Sequence, residues 1–387
     1  MTAGSFISRR IRFKGKLAET AIAISFLVII IAVAVSAGFR SEIRKGVAAV
    51  TGDIILSETG SDYYGENTPV HTSQSYLADI EAVPGVASIT PAVYRAGIVK
   101  GDGDIHGVMV KGTRTSDTTK LGVSIPSRLA RLLDLKVGDP MLTYFVGEKV
   151  KVRKFMVTDI YESILDSDES LIVRAGISDM QRLNGWDEDQ VSTLELTLDS
   201  RSRSSEQIRE ITREVGSIAA MSATDMDDVL IATASVDKYS QLFDWLDLID
   251  FNVAAILLLM IVVAGFNMIS GLLILLFRNI STIGTLKALG MSDKGVAGVF
   301  LRVSARTVSL GMAAGNAAGL LFCLVQGTTH LLKLNPENYF VSFVPVDVNI
   351  PGILAADAMA FVAIMLLLLI PCLFISKIDP SRTVRTE

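Results

Sequence analysis

Four long apolar runs divide the chain, and each is long enough to cross a membrane as a helix. They predict transmembrane helices over residues 21–39, 251–277, 304–326 and 350–375. The second run is the clearest, because Asn267 and Ser270 are the only polar residues between Val253 and Phe277. About 20 apolar residues cover the hydrocarbon of a bilayer as a helix. The pattern therefore predicts a four-span membrane protein.

Residues 40–250 contain no apolar run of that length and predict a separate α+β domain between the first two spans. Period-two alternation indicates strands over 86–92, 97–100, 106–111, 156–161, 170–174 and 193–198. A hairpin is predicted at 145–152, around Gly147 and Glu148. Helical spacing predicts helices over 74–83, 125–133 and 205–215, and a mainly helical stalk over 227–250.

The segment between the second and third spans carries a short apolar stripe. Ile280, Ile283, Leu286 and Leu289 recur every three residues, which is typical of one face of a short helix. Gly290 follows where a helix end needs a positive φ. A short amphipathic helix between two spans has no lipid depth in which to bury its stripe. The pattern therefore predicts a partner protein at residues 278–303.

Basic residues set the predicted orientation. They cluster in the N-terminal tail (Arg9, Arg10, Arg12, Lys14, Lys16), the 277–306 connector (Arg278, Lys287, Lys294, Arg302, Arg306) and the 376–387 tail (Lys377, Arg382, Arg385). The 328–349 loop has only Lys333. Both termini and the connector are thus expected in the cytoplasm, with the 40–250 domain outside. Residues 1–20 read as an amphipathic cytoplasmic segment. A basic start before an apolar run also describes a signal peptide, but the length of the run favours an uncleaved first span.

Composition limits the classes of function. Half of the 387 residues are hydrophobic and the net charge is −5, so no basic surface indicates nucleic acid. No phosphate-binding G-x-x-x-x-G-K-[ST] motif occurs, and the three histidines show no metal-ligand spacing. We therefore expect no catalytic residue, no cofactor and no metal on this chain.

Two motifs together resemble the permease core of the FtsX/MacB superfamily of ABC transporters. They are VAGFN (263–267) in the second span and IG-LKALG (283–290) after it, and the likeness is greatest to the lipoprotein-releasing (LolC/LolE-type) branch. The resemblance implies a MacB-like periplasmic domain, with a porter-like part at 50–119 and 191–225 and a β-rich insert at 120–190. It also implies that the connector docks on an ATPase through Ile280, Ile283, Gly284, Leu286, Lys287, Ala288, Leu289 and Gly290.

The resemblance further implies a membrane permease subunit in the bacterial inner membrane that is not itself an enzyme. ATP and magnesium would be bound by a separate ATPase subunit. The other implied partners are a second permease (the same chain or a paralogue), a lipid-anchored protein substrate, a periplasmic carrier and membrane lipids. The alternatives are MacB-like efflux, FtsX-like transmembrane signalling, or a membrane-anchored scaffold that works without an ATPase.

The remaining candidate residues lie in or beside the spans. An apolar cavity for acyl chains is expected at the outer half of the membrane, lined by Val35, Phe39, Leu248, Phe251, Ala255, Tyr339 and Phe340. Gly311, Gly315 and Gly319 leave one face of the third span without side chains, which allows another helix to approach closely. Asn267 is expected to bond across helices, and contact with the substrate is the alternative. Asp357, in the fourth span, is equally consistent with a functional and a structural role.

Overall fold

The computed structural model describes residues 16–58, 68–101, 105–114, 120–147, 150–162, 171–199, 204–224, 227–335 and 339–373. The chain divides into two compact units. One is helical and comprises Met1–Arg40, Leu246–Lys333 and Phe343–Glu387. The other, the α+β domain, comprises Ser41–Trp245 and Leu334–Ser342. Most of the predicted N-terminal amphipathic segment lies outside the described residues.

The helices and strands are numbered separately in chain order. The described helices are α1 (Lys16–Thr51), α2 (Leu77–Glu81), α3 (Ser127–Leu132), α4 (Ile177–Asn184), α5 (Ser205–Ser222), α6 (Ser235–Lys238), α7 (Ser240–Arg278), α8 (Ile280–Ala288), α9 (Asp293–Thr329), α10 (Ile350–Leu367) and α11 (Leu369–Cys372). The described strands are β1 (Ile54–Glu58), β2 (Val70–His71), β3 (Val86–Lys100), β4 (Ile105–Thr113), β5 (Gly122–Pro126), β6 (Pro140–Phe145), β7 (Lys151–Tyr161), β8 (Ile172–Gly176), β9 (Gln190–Val191), β10 (Thr193–Leu198) and β11 (Leu230–Ala234).

Four helices are long and apolar enough to cross a membrane, which confirms the four predicted apolar helices. They are Ala18–Thr51, Ser240–Arg278, Asp293–Thr329 and Ile350–Cys372. Two of them run well past the apolar runs: α1 continues beyond residue 39 to Thr51, and α7 begins at Ser240 rather than at 251. Both helices therefore extend into charged sequence. This is possible because an α-helix pairs its backbone N–H and C=O groups within itself, whatever side chains it carries.

One apolar cluster joins the four long helices of the helical unit. Phe26 of α1, Met268 of α7, Phe300 of α9 and Ile364 of α10 are fully buried in it. The core of this unit is thus built from side chains that face neighbouring helices, while most other positions of α7 and α10 stay exposed.

The glycines of α9 pack against α1, which identifies the helix that approaches this face. A Cβ on Gly311 would lie 2.7 Å from Ile22 Cγ2, and one on Gly319 would lie 3.0 Å from Ile30 Cγ2. At Gly315 the added carbon would collide with the carbonyl oxygen of Ala23. These distances leave no room for a side chain, so the glycines permit helix contact through the backbone.

The α+β domain is built on one nine-stranded sheet with the order β11-β1-β10-β3-β4-β8-β5-β7-β6. A further pairing of β3 with β6, through Ile98↔Tyr144 and Val99↔Thr143, closes six of these strands into a ring. The strands of the predicted 120–190 insert belong to that ring. They are continuous with the rest of the sheet through the long strands β3 and β4.

Two elements differ from the sequence prediction. Residues 122–126 form β5, and the helix predicted from residue 125 begins only at Ser127. Residues 230–234 form β11 within the predicted helical stalk, because they pair with β1 from Ile54↔Ala234 to Glu58↔Leu230. By contrast, β10 has the predicted bounds of 193–198.

A buried polar cluster connects the end of α1 to the sheet of the α+β domain. Lys111 Nζ lies 2.7 Å from Glu195 Oε2, and both side chains are about 5% exposed. The Tyr94 hydroxyl lies within hydrogen-bonding distance of the Glu195 carboxylate and, at 3.0 Å, of the carbonyl oxygen of Val50, and these two acceptors share its single proton. Lys111 donates to the same carbonyl. The last turn of α1 is therefore held by donors from β3 and β4.

Candidate functional site

The predicted cavity residues on the second span are open to the surroundings of the chain. Phe251 is 71% exposed, and Leu248 and Ala255 of the same helix are also exposed. On α1, Val35 is half-buried and Phe39 is only 7% exposed. Phe39 thus does not lie on an open surface, which corrects its placement in the cavity wall: it packs within its own chain.

Polar groups hold α1 and α7 together beside these apolar residues. The Arg40 guanidinium lies 3.1 Å from Asp247 Oδ1 and also pairs with Asp250. The buried Ser36 hydroxyl donates to Asp250 as well. The apolar face of α7 with Leu248 and Phe251 is therefore accompanied by a charged face that contacts α1.

The sequence pattern did not predict this cluster of charged residues. Arg40, Asp247 and Asp250 follow or precede the first two apolar runs, where charges are ordinary. Their opposite charges are the sequence signal that could have predicted the contact. Arg40 directly follows the first apolar run, and Asp247 and Asp250 directly precede the second. Opposite charges at corresponding ends of antiparallel helices favour a pair.

Tyr339 and Phe340 belong to the α+β domain rather than to the helical unit. Phe340 has a positive φ of 60° and packs edge-on against Trp245, with 5.6 Å between the ring centroids. Tyr339 is exposed. The two predicted aromatic residues thus have different surroundings, and only Tyr339 presents its ring outward.

The connector between the second and third spans is a short helix with defined ends. Asn279 separates α7 from α8, and its side-chain amide donates to the Leu275 carbonyl oxygen at 2.8 Å. Gly290 has φ +89° and donates to the Lys287 carbonyl oxygen at 2.9 Å. Ser292 then caps α9 by accepting from the Gly295 amide at 3.3 Å. The local sequence therefore makes a rigid turn on each side of α8.

The burial of this helix changes which residues could contact a partner. Ile283 is fully buried with Val296 and Phe300, and Leu286 packs against the same cluster. Leu289 is 80% exposed, and Ile280 is also exposed. The predicted docking face of Ile280, Ile283, Leu286 and Leu289 is thus wrong as a single surface, because a repeat of three drifts around a helix of 3.6 residues per turn.

The other connector residues follow the same division. Gly284 is buried, whereas Ala288 and Gly290 are exposed. The Lys287 ammonium is largely buried and lies 2.8 Å from Asp293 Oδ1 at the start of α9. Lys287 therefore has a partner within its own chain, across the turn between α8 and α9.

Asn267 lies in the middle of α7 and is exposed, as is Ser270 one turn later. Neither side chain faces the helices of its own unit. A polar amide that faces hydrocarbon without a partner costs free energy. The predicted role of Asn267 in bonding across helices is therefore not fulfilled by a helix of this unit.

The described residues contain no group of three or more His, Cys, Asp or Glu side chains that could hold a metal ion. Two exposed apolar surfaces are candidates for binding: the part of α7 that carries Leu248 and Phe251, and the side of α8 that carries Ile280, together with Leu289 just after it.

The comparisons with known proteins find relatives over almost the whole chain. The FtsX-like permease C-terminal family matches residues 254–380. The lipoprotein-releasing system transmembrane protein LolC of Xylella fastidiosa (strain Temecula1) is 21% identical over 95% of this chain and 92% of its own. LolC of Neisseria meningitidis is 22% identical over 95% and 92%, and LolE of Haemophilus influenzae is 20% identical over 96% and 94%.

Solved structures resemble part of the chain. The periplasmic region of MacB from Actinobacillus actinomycetemcomitans covers 49% of this chain and 91% of its own, at 13% identity and a TM-score of 0.31. The extracellular domain of the transporter YknZ from Gram-positive bacteria covers 46% and 98%, at 12% identity and a TM-score of 0.29.

Proposed function

We propose that this chain, whose residues 254–380 match the FtsX-like permease C-terminal family, is the permease subunit of an ABC transporter and extracts lipoproteins from the bacterial inner membrane. The lipoprotein leaves the outer leaflet and passes to a carrier. A separate subunit binds ATP and magnesium and hydrolyses the nucleotide.

The observation that carries this proposal is the extent of the similarity to LolC. It covers 95% of this chain and 92% of the relative. It therefore includes residues well outside the 254–380 permease domain. The family model covers residues 254–380 only and specifies no substrate, so similarity across the whole length is the better guide to the substrate.

The exposed outer part of α7 suits the lipid part of such a substrate. Leu248, Phe251 and Ala255 offer apolar surface that no described side chain of the helical unit covers. Each acyl methylene that leaves the bilayer costs about 0.8 kcal/mol, so the chains must move along apolar surface and an energy source must drive the step. The Arg40–Asp247 pair marks the polar boundary of this surface.

The exposed side of α8 is the proposed ATPase contact. Ile280, Thr285, Ala288 and Leu289 are all exposed. The excess of Lys and Arg in the connector favours a cytoplasmic position, where an ATPase subunit would lie. The Lys287–Asp293 pair and the buried Ile283 transmit the movement of α8 to α9 and the bundle.

The exposed polar face of α7 is the proposed contact with a second permease. Asn267 and Ser270 need a hydrogen-bonding partner inside the membrane, and a facing helix supplies one at close range. Whether that helix comes from the same chain or a paralogue does not change this requirement.

Site-specific photo-crosslinking tests the proposal. A photoreactive residue at Phe251 should capture a lipid-anchored protein in membranes that contain the ATPase without nucleotide, and release it when ATP is added. Leu354 on α10 is the matched control, because it is also apolar and exposed near the start of its helix. It should capture phospholipid irrespective of ATP.

Three outcomes would contradict the proposal. Capture of phospholipid alone at Phe251, unchanged by ATP, would exclude extraction at this surface. Absence of any co-purifying ATPase would favour a membrane-anchored scaffold. Capture of peptides or small molecules that carry no lipid would favour efflux.

A further inference from the structure

A carboxyl group and an amide face each other inside the helical unit, and their hydrogen bonding is incomplete. Asp357 of α10 is 5% exposed, and Asn316 of α9 donates from Nδ2 to Asp357 Oδ2 at 2.5 Å. The other two oxygens, Asn316 Oδ1 and Asp357 Oδ1, are buried and have no hydrogen-bond partner among the described residues. Both are acceptors when the carboxyl is ionised, so they cannot satisfy one another.

One proton resolves both defects at once. If Asp357 Oδ1 carries a proton, it becomes a donor to Asn316 Oδ1, while Asn316 Nδ2 continues to donate to Asp357 Oδ2. The two groups then form a cyclic acid–amide pair with two hydrogen bonds. A buried polar atom without a hydrogen-bond partner is unfavourable, and the proton gives a partner to both oxygens, so the protonated arrangement is favoured.

The charges around the pair do not provide an alternative. Asp357 is the only charged residue of α10, and it lies about 10 Å along the helix from Ile350. On each neighbouring helix, the relevant titratable groups are those that lie closest along that helix to its apolar middle. They are Glu19 and Arg40 of α1, Asp250 and Arg278 of α7, Arg306 and Cys323 of α9, and Cys372 of α11. Burial and the Asn316 hydrogen bond are the interactions that act on Asp357, with no cation among them.

We propose that Asp357 and Asn316 form a binding site for a single proton within the membrane, which locks α9 to α10 when it is occupied. The proton comes from water and converts the carboxylate to the acid. Its loss leaves a buried anion opposite an amide oxygen, so α10 must move or water must enter. The site thereby links the separation of the third and fourth helices to proton release, irrespective of what the transporter carries.

Infrared spectroscopy of the full chain in lipid vesicles tests the proposal directly. At pH 7 the wild-type chain should show the carbonyl band of a protonated carboxylic acid. Asp357→Asn should lose that band while it keeps two hydrogen bonds as an amide–amide pair. Asp347→Asn, which changes an exposed aspartate just before α10, is the matched control and should leave the band unchanged.

Two further measurements remove the dependence on one variant. Asn316→Leu should keep the band but move it to higher frequency, because the acid carbonyl loses its donor. In the wild-type chain, ¹³C labelling of the aspartate carboxyl carbons should shift the band, which requires no substitution. No protonated-acid band at pH 7, a band that survives Asp357→Asn, or a band unaffected by Asn316→Leu would each overturn the proposal.

Discussion

Replacing Lys111 by methionine should destabilise the α+β domain, because it removes the cation that contacts the buried Glu195 and leaves only the electrostatic interaction with Lys238. The Lys111 ammonium and the Glu195 carboxylate are 2.7 Å apart, and both side chains are almost fully excluded from water. Burial lowers the pKa of Lys111, while the neighbouring Glu195 raises it and so partly offsets the effect. The two charges therefore depend on each other.

The magnitude follows from what remains after the substitution. Breaking a buried ion pair by removing one partner costs about 3–5 kcal/mol. Glu195 keeps its electrostatic interaction with Lys238, and it shares the single Tyr94 hydroxyl proton with the Val50 carbonyl oxygen. We therefore expect a loss near the lower end, about 3 kcal/mol.

Urea unfolding of the full chain, followed by tryptophan fluorescence, measures this loss. The two tryptophans of the chain, Trp186 and Trp245, both belong to the α+β domain, so the signal reports on that unit. The double variant Lys111→Met/Glu195→Leu removes both charges and should recover to within about 1 kcal/mol of the wild type.

A surface ion pair supplies the control. Arg209 Nε lies 2.8 Å from Asp237 Oδ1, a distance similar to that of the buried pair, but both side chains are about half exposed. Arg209→Met should cost less than about 1 kcal/mol. The reasoning is refuted if Lys111→Met costs no more than Arg209→Met, or if adding Glu195→Leu restores nothing.

Three other predictions concern the helices and the titration of a lysine. Gly315→Leu should lower the melting temperature of the full chain in detergent, because the side chain meets the backbone of α1; Gly327→Leu, around which space is open, should not. Leu289→Glu should leave the chain folded but abolish co-purification of the ATPase, because Leu289 is exposed. Ile283→Glu should instead disrupt the helical core, because it buries a charge. A folded Ile283→Glu chain would contradict the burial of Ile283. Burial lowers the pKa of Lys238 to about 8 from 10.5, so domain stability should rise between pH 8 and 10.5, where the folded domain has lost this proton and the unfolded chain still binds it. Lys238→Met should remove that rise and increase stability at pH 7 by at most about 3 kcal/mol; an unchanged urea midpoint would contradict it.

The membrane helices could be predicted because the bilayer imposes a simple rule on sequence. An uncharged apolar run such as 253–277 has no alternative to a spanning helix. Their true ends could not be predicted, since α1 and α7 continue through charged residues where helix and loop are equally permitted by composition. Thr193–Leu198 was predictable for a different reason, because its apolar residues alternate with polar ones and turn residues bound it.

Strands that form by pairing with distant strands could not be predicted from the sequence. Residues 122–126 are buried on both faces and run directly into a helix, so periodicity does not separate the two. Residues 230–234 become a strand only because β1, more than 170 residues earlier, offers its edge. Local propensity contains no information about that pairing.

The candidate sites show the same division. The connector and the glycine stripe were visible as spacings along the chain. The inward direction of Ile283, the contact of Arg40 with Asp247 and the pairing of Asp357 with Asn316 were not, because each depends on how one helix is rotated against another. A hydrophobic repeat gives the existence of a helical face, and packing decides which neighbour it meets.

The first and last strands of the α+β domain lie side by side, since Ile54 is paired with Ala234. The chain enters the sheet at the start of β1 and leaves it at the end of β11. These two points lie at the same end of the antiparallel pair. A force that pulls these two ends apart loads the Ile54–Ala234 pair first. The remaining pairs between β1 and β11 are then loaded one after another. Forces along the strands would instead load several hydrogen bonds together. The domain is thus mechanically weakest in the direction that separates its own entry and exit, and traction applied there would detach β11 before it disturbed the closed ring of strands.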